Sequence, residues 1–293
     1  MEAFWIILTG SMVAITCGLL GVFLILRKMA MVGDAISHAV LPGIVLAYLI
    51  SESRETIPML LGAAALGVVT TLMIEWLYSK ARLQMDASIG ITFTWLFALG
   101  IILISLYTGQ VDLDQDCVLY GEIAYVPLDL WINGNGLILG PRPVWITGGA
   151  MLLITSLVVI GYRGLEITTF NPEYAAAIGI STVFWHYLLM SAVSITTVVS
   201  FESVGAILVV AFLIVPPATA YLLTEKLVPM LWLTVLFGVL SAALGYGLAA
   251  LIDGSIAGAM SVVAGAFLAM ALAYSQWKQR RGNQLAEAVG NVY

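Results

Sequence analysis

Nine long apolar runs dominate this sequence, and they leave a lipid bilayer as the environment in which it folds. Each run is close to the ~20 residues that one helical crossing of a bilayer requires. They lie at about residues 3–26, 31–50, 57–78, 87–107, 144–162, 181–200, 204–224, 228–252 and 256–277. Hydrophobic residues make up 61% of the chain and charged residues only 10%, whereas a soluble domain is about 25% charged. The sequence therefore predicts an all-α fold, a polytopic transmembrane helical bundle.

Lysine and arginine positions predict the orientation of this bundle. If the first run crosses from outside to inside, these basic residues face the cytoplasm: Arg27, Lys28, Lys80, Arg82, Arg163, Lys226, Lys278, Arg280 and Arg281. Only Arg54 and Arg142 then lie outside. Because cytoplasmic loops are enriched in basic residues, we expect residues 1–277 to form the transmembrane domain and 278–293 a cytoplasmic tail. The first run lacks the basic start and cleavage site of a signal peptide, so we expect it to be kept as a span.

Asp34 and His38 place two ionisable side chains within the second apolar run. Four residues apart on a helix, they share one face. A carboxylate oxygen with an imidazole nitrogen suits manganese, ferrous iron or zinc better than copper(I). Two other interpretations stay open. Asp34 could cap the helix with Ser37 while His38 bonds to a neighbouring helix, or the pair could relay protons.

Glu202 is a candidate third ligand, or else a solvated acid at the mouth of the seventh span. The predicted orientation puts Asp34 toward the cytoplasm and Glu202 toward the outside, so a shared site would need a broken or re-entrant segment. Two other ionisable residues are weaker candidates. Glu75 can extend its carboxylate to the interface beside Lys80, and His186 fits a hydrogen-bonded packing role.

Glycine and proline residues interrupt two of the spans. Gly33, Pro42 and Gly43 lie in the second span, and Pro216 and Pro217 lie in the seventh. Transporters often bind their substrate where helices are discontinuous, so these five residues are candidates for helix breaks or gating. Ordinary kinking between packed helices is the alternative.

The longest connection is the outer loop 108–143, which is acidic. Its carboxylates are Asp112, Asp114, Asp116, Glu122 and Asp129. Such a loop could attract cations or dock a partner protein. A plain solvated loop explains the same residues.

The inner connection before the sixth span predicts a short surface helix at about residues 170–179. Asn171 can cap it, while Pro172 suits its first position and Glu173 its first turn. Gly179 can end it. Because two turns are too short to be stable alone, we expect a partner surface, as for a coupling helix that contacts a motor protein. A surface helix without a partner is the alternative.

The chain carries no ATP-binding machinery of its own. The phosphate-binding pattern Gly-x-x-x-x-Gly-Lys-Ser/Thr does not occur in it, and no soluble segment is large enough to bind a nucleotide. We therefore expect a transport subunit rather than an enzyme, with any ATP hydrolysed by another subunit. No permanently bound cofactor and no nucleic-acid partner are expected.

Three segments together resemble the manganese/zinc/iron ABC permease family. GDAISHAVLPG, at residues 33–43, is similar to the hallmark segment of that family. FNPEYAAAIG, at 170–179, resembles its cytoplasmic coupling region, and ESVGAILVVAFLIVPPATA, at 202–220, resembles the signature of its later spans. The likeness covers about residues 3–277, and the first and third segments are specific.

The resemblance implies eight to nine membrane helices in a bacterial cell membrane, with a second permease copy or a related permease alongside. It also implies a cytoplasmic ABC ATPase dimer and an extracytoplasmic metal-binding protein that delivers the ion. The ion would be manganese, zinc or iron, and the resemblance favours manganese.

The same resemblance implies roles for particular residues. Asp34 and His38 would line the metal path, and Glu202 is implicated with them. The residues that would couple to the ATPase are Asn171, Pro172, Glu173, Tyr174 and Gly179.

A proton-coupled secondary transporter or channel could use the same Asp34–His38 pair. It predicts metal flux through the purified chain without an ATPase, whereas the ABC interpretation predicts ATP-dependent uptake with partners only. A plain membrane anchor is a third interpretation, and ionisable groups kept at membrane depth argue against it.

Overall fold

The computed structural model describes residues 2–51, 56–107, 123–132 and 138–290, and it is almost entirely helical. The first helices are α1 (Glu2–Leu26), α2 (Val32–Ala39), α3 (Leu41–Ser51), α4 (Thr56–Lys80) and α5 (Met85–Tyr107). A 3₁₀ turn (Ile123–Leu128) and two antiparallel strands, β1 (Leu130–Ile132) and β2 (Ile138–Pro141), follow. The remaining helices are α6 (Arg142–Ile160), α7 (Tyr162–Phe170), α8 (Pro172–Ala177), α9 (Thr182–Val204), α10 (Ala206–Leu223), α11 (Leu227–Ile252) and α12 (Ile256–Gly290).

Nine stretches within the described ranges are long and apolar enough to cross a membrane, with α2 and α3 together forming one of them. The predicted all-α bundle of membrane helices is thus confirmed, and the described helices match the count of nine. One boundary differs from expectation. The last span continues without a break from Lys278 to Gly290, so the predicted tail 278–293 begins as an extension of α12.

The first helix forms the centre of the bundle. It packs against α6, α9, α10 and α11, and 72% of its apolar window is buried, more than in any other described span. Every residue from Thr16 to Leu24 is buried. A helix surrounded on all sides by other helices can carry apolar and small residues around its whole circumference, and this segment does so.

The second span is interrupted at Val40, between α2 and α3, although Val40 itself keeps helical backbone angles. Pro42 has no N–H group, so it cannot donate the helical hydrogen bond to the carbonyl of His38 four residues earlier. Gly43 lies close to α4, where an added Cβ would stand 2.5 Å from the carbonyl oxygen of Gly62. The break predicted around Pro42 and Gly43 therefore coincides with an observed interruption of the helix.

The seventh span differs from the expectation. Helix α10 runs without interruption through Pro216 and Pro217. Pro217 cannot donate to the carbonyl of Leu213, but that carbonyl lies against Gly21 of α1, where a Cβ would collide with it. The freed carbonyl of Leu213 therefore lies at a close approach between α10 and α1. A gating role for the two prolines stays a prediction.

The chain reverses instead at Gly205, which separates α9 from α10. Its φ of 79° is one that side chains with a Cβ rarely adopt. Helix α9 therefore extends to Val204, and Glu202 lies in the last turn of α9 rather than at the start of the next span.

The two ends of the bundle carry different connections. At one end, a cleft of about 1050 Å³ is lined by Leu26, Phe170, Lys226 and Lys278, among others, so several connections predicted to be cytoplasmic lie together. At the other end, the β hairpin packs near the start of α1, with Gly140 beside Trp5. Of the acidic outer-loop residues, only Asp129 is described. Asp112, Asp114, Asp116 and Glu122 lie outside the described residues.

Candidate metal site

Asp34 and His38 lie one turn apart on α2, as their spacing predicts. His38 Nε2 is 3.8 Å from Asp34 Oδ1. The N-cap position of α2 is Met31, and the Ser37 hydroxyl donates to the backbone carbonyl of Asp34. The carboxylate of Asp34 is therefore not used to cap the helix, and that alternative is wrong.

The pair stands in the middle of the bundle. Gly67 of α4 fits against both Ile36 of α2 and Ser194 of α9, and Gly67 and Ser194 each lie near the midpoint of their helix. The His38 ring contacts Phe93 and Phe97 of α5, each at a centroid distance of 5.8 Å. The two phenylalanines are one turn apart, so they hold the imidazole from the side of α5.

The geometry of the pair is compatible with one shared divalent ion. Metal–oxygen and metal–nitrogen bonds of about 2.1 Å can bridge two atoms up to about 4.2 Å apart, and the observed separation is 3.8 Å. The side chains of Asp34 and His38 are 39% and 34% exposed, so an ion can reach them. The His38 carbonyl, which lacks its helical donor because of Pro42, is a further oxygen on the residue that supplies the imidazole.

Close helix packing holds α2 in place. Gly33 lies against Leu213 of α10, where even a methyl group would collide with the leucine side chain. On the other side, Pro42 and Leu41 pack against Gly100 of α5. Gly33 and Gly43, which were predicted as candidates for helix breaks, thus both lie at close contacts between helices.

Glu202 occupies a different level of the bundle. It is eight residues beyond Ser194 on α9, which corresponds to about 12 Å along a helix. Arg142 and Asp129, beside the β hairpin, are near enough to act on it electrostatically. Among the residues that the structure describes, no three His, Cys, Asp or Glu side chains gather into a metal-binding group. The structure therefore joins Asp34 to His38 and places Glu202 apart from them, near Arg142 and Asp129 beside the β hairpin.

A second carboxylate–imidazole pair was missed by the sequence analysis. Glu75 Oε2 of α4 lies 3.1 Å from His186 Nε2 of α9, and both side chains are mostly buried, with exposures of 24% and 21%. Glu75 therefore points into the bundle rather than toward Lys80. The available signal was depth: Glu75 lies three positions and His186 five positions from the ends of their predicted spans, and both of these ends were predicted to face the cytoplasm.

We expect the Glu75–His186 pair to stabilise the contact between α4 and α9. Replacing one partner by an apolar residue leaves the other mostly buried and unpaired, so Glu75→Leu and His186→Phe should each lower the unfolding temperature in detergent. Polar pairs between membrane helices contribute roughly 0.6 kcal/mol on average, and a charge-assisted bond should give about 1 kcal/mol or more. A double-mutant cycle measures this coupling, and additive effects of the two substitutions would contradict it.

The predicted surface helix is present as α8. Asn171 Oδ1 accepts a hydrogen bond of 3.0 Å from the amide of Tyr174, and Pro172 occupies the first position. Gly179 ends the turn with φ 83°, while the amide of Ile180 donates to the carbonyl of Ala175, as in a Schellman cap. The local rules of capping thus account for each residue of this segment.

One face of this segment is apolar and uncovered in the single chain. Tyr174 and Ile178 lie four residues apart, within α8 and at its C-cap, and are 56% and 48% exposed, while Phe170 at the end of α7 is 58% exposed. They lie at the end of the bundle that carries Arg27, Arg163 and Lys226. An exposed apolar stripe of this kind marks an interaction surface.

Comparison with known proteins gives a consistent result. The model of the ABC 3 transport family matches residues 2–275. The manganese transport system membrane protein MntD of Bacillus subtilis is 47% identical over 271 residues, covering 92% of this chain and 91% of that protein. The zinc transport system membrane protein TroD of Treponema pallidum is 41% identical, covering 92% and 73%. Among solved structures, PsaBC of Streptococcus pneumoniae in complex with Fab aligns with a TM-score of 0.74 at 32% identity, covering 91% of this chain and 89% of that one.

Proposed function

Because the chain belongs to the ABC 3 transport family and is a membrane-spanning ABC permease, we propose that it moves manganese into the cytoplasm, with zinc or ferrous iron as alternative ions. The observation that carries the proposal is the Asp34–His38 pair at mid-depth of the bundle, 3.8 Å apart. A carboxylate placed there is costly unless it has a function or a partner. The names of MntD and TroD support manganese and zinc as the ions to test.

The chemistry of binding follows from the two side chains. Asp34 supplies a negative charge and a hard oxygen ligand, which suits manganese, and neutral His38 supplies a nitrogen. Phe93 and Phe97 orient the imidazole, and the His38 carbonyl freed by Pro42 can add another oxygen.

A second permease completes the site in this proposal. Asp34 and His38 are more than one-third exposed in the single chain, and a carboxylate facing lipid at that depth would be strongly unfavourable. A second copy, or a related permease, related by a two-fold axis would cover the pair. It would bring an equivalent pair to the ion and so double the number of ligands.

The outer and inner ends take different partners. An extracytoplasmic metal-binding protein delivers the ion at the end that carries the β hairpin, where Glu202 serves as an acidic entry point. An ABC ATPase dimer binds the opposite end at α8, which places the end of α12 in the cytoplasm. ATP binding and hydrolysis then alternate the access of the Asp34–His38 pair between the two sides. The family and the exposed stripe on α8 support this arrangement.

Tyr174→Ala tests whether α8 is the contact with the ATPase. Tyrosines at the centre of an interface often contribute about 2 kcal/mol to binding, which corresponds to roughly a 30-fold weaker complex. We expect the ATPase to dissociate from detergent-solubilised variant permease on size-exclusion chromatography, while the permease stays folded. Tyr125→Ala is a matched control, because Tyr125 is as exposed (55%) but lies in the 3₁₀ turn beside the β hairpin, at the opposite end of the bundle. Equal retention of the ATPase by Tyr174→Ala and the wild type would contradict this role of α8.

The choice of ion is tested by competitive uptake. Complex reconstituted into liposomes with its ATPase and binding protein is given manganese, ferrous iron and zinc at equal concentration. We expect manganese to accumulate most. Exclusive accumulation of zinc would assign the permease to zinc and would leave the site proposal standing.

A further inference from the structure

Arg27 joins two parts of the chain that are far apart in sequence. It follows the last residue of α1, and its Nε donates to the hydroxyl of Thr169 at 3.1 Å while its Nη2 donates to the hydroxyl of Thr168 at 3.0 Å. Both threonines lie in the last turn of α7. The Thr168 hydroxyl donates its own proton to the carbonyl of Gly164 at 2.7 Å, so its lone pairs face the guanidinium.

The environment of Arg27 is unusual for an arginine outside the apolar spans. Burial lowers its pKa to about 10, and the group still carries its charge at neutral pH. A desolvated cation requires compensating hydrogen bonds, and the two hydroxyls of α7 supply them. The contact is therefore specific, since loss of these hydroxyls would leave the guanidinium partly buried with fewer acceptors.

Arg27 is connected to the metal pair through a short, hydrogen-bonded turn. Lys28 has φ 59°, and the amides of Lys28 and Met29 donate to the carbonyls of Ile25 and Leu24 at 3.0 and 2.8 Å, which closes α1 with a Schellman cap. Helix α2 begins only three residues later, at Val32. A displacement of Arg27 is thus passed directly to α2.

The threonines are connected in the same way to the surface helix. Helix α7 ends at Phe170, and Asn171 both terminates α7 and caps α8. Gly164 of α7 packs directly against the ring of Trp185, leaving no space for a side chain. Helices α7 and α8 therefore form one compact unit, held to α9 by Trp185 and to α1 by Arg27.

We propose that Arg27 is a positioning residue that transmits movement of α8 to the helix carrying Asp34 and His38, through its hydrogen bonds to Thr168 and Thr169. The inference rests on the proposed function, because it gives a physical path from the ATPase surface to the ion. The path runs from α8 through Asn171 to the last turn of α7, then through the guanidinium to the turn 27–31 and into α2. The sequence alone does not reveal the contact of Arg27 with Thr168 and Thr169, which lie 141 and 142 residues later in the chain.

The test measures the number of ATP molecules hydrolysed per ion transported by the reconstituted complex. The double variant Thr168→Val with Thr169→Val keeps the shape of both side chains and removes both acceptors, and Arg27→Gln removes the guanidinium. We expect each variant to assemble with the ATPase and hydrolyse ATP, while uptake falls so that the ATP-to-ion ratio rises roughly tenfold. Arg27→Lys should give an intermediate ratio, because an ammonium cannot span two acceptors as a guanidinium does.

Lys80→Gln is the matched control, because it removes an exposed positive charge at the end of α4, outside the proposed path, and its ratio should equal that of the wild type. A wild-type ratio in both the Thr168/Thr169 and Arg27→Gln variants would overturn the inference. A parallel fall of hydrolysis and uptake, with an unchanged ratio, would also overturn it and assign the contact to structure alone. Failure of the wild-type complex itself to take up metal with ATP would count against the proposed function instead.

Discussion

Asp34→Asn is expected to reduce ATP-driven metal uptake by about 100-fold or more. The substitution keeps the shape of the side chain and removes its charge, so the ion loses the anionic ligand that lies 3.8 Å from His38. Groups that only orient a metal ligand already contribute about 10–100-fold to affinity, and a direct anionic ligand should reach or exceed that range. Uptake of radioactive manganese into proteoliposomes, together with the ATPase activity of the same sample, measures the loss.

Asp86→Asn provides the control for this experiment. Asp86 is an exposed carboxylate in the first turn of α5, away from the pair, so uptake should stay close to that of the wild type. His38→Gln should also reduce uptake strongly, since it removes the imidazole and leaves Asp34 in place. Normal uptake by Asp34→Asn would show that the pair is not part of the ion path.

Gly21→Ala is expected to destabilise the protein strongly, although it adds only a single methyl group. The new Cβ would collide with the carbonyl oxygen of Leu213 and stand 2.8 Å from the ring of Pro217. A backbone carbonyl cannot rotate away as a side chain can, so α1 and α10 must separate. Overpacking of this kind costs about 1–3 kcal/mol, and separation of the central helix from α10 places the cost at the upper end.

Gly21→Ala is also expected to displace α2, the helix that carries Asp34 and His38. Leu213 contacts Gly21 with its carbonyl and Gly33 with its side chain, so a shift of α10 displaces α2. We expect the unfolding temperature in detergent to fall by roughly 5–10 °C, and metal uptake to fall with it. Gly149→Ala is the control, because a Cβ at Gly149 meets nothing within 4 Å. Equal unfolding temperatures for Gly21→Ala and Gly149→Ala would contradict the packing described for α1 and α10.

Much of the fold follows from the sequence because membrane helices obey local rules. Length and hydropathy located the spans, since a bilayer demands about 20 apolar residues regardless of neighbours. The break beside Pro42 and the form of α8 were also predictable. In both places, one residue's own chemistry decides the backbone: the missing N–H of Pro42 and the side-chain acceptor of Asn171.

The contacts between helices were not predictable in the same way. No sequence pattern near these residues indicates that Glu75 pairs with His186 or Arg27 with Thr168. Their partners are set by how helices far apart in sequence pack together. Gly21 is likewise ordinary as a sequence feature until Leu213 lies against it. Pro216 and Pro217 were predicted as candidates for a helix break, whereas α10 runs through both of them without interruption.

The position of Glu202 along α9 separates it from the Asp34–His38 pair. Glu202 lies in the segment 202–220, whose resemblance to the family favoured a role beside Asp34 and His38. In the structure, however, Glu202 lies about 12 Å farther along α9 than Ser194, which marks the level of the pair. Its electrostatic neighbours are Arg142 and Asp129. A role in admitting the ion at the outer end fits this position better than direct binding with Asp34.

The most direct measurement is manganese uptake into liposomes that contain either the permease alone or the permease with its ATPase and binding protein. We expect manganese to accumulate against its gradient only in the complete complex, only with ATP, and not when Asp34→Asn permease is used. Flux of manganese down its gradient through the permease alone, abolished by the same substitution, would contradict an ATP-driven importer and would show a channel or a secondary transporter built on the same pair.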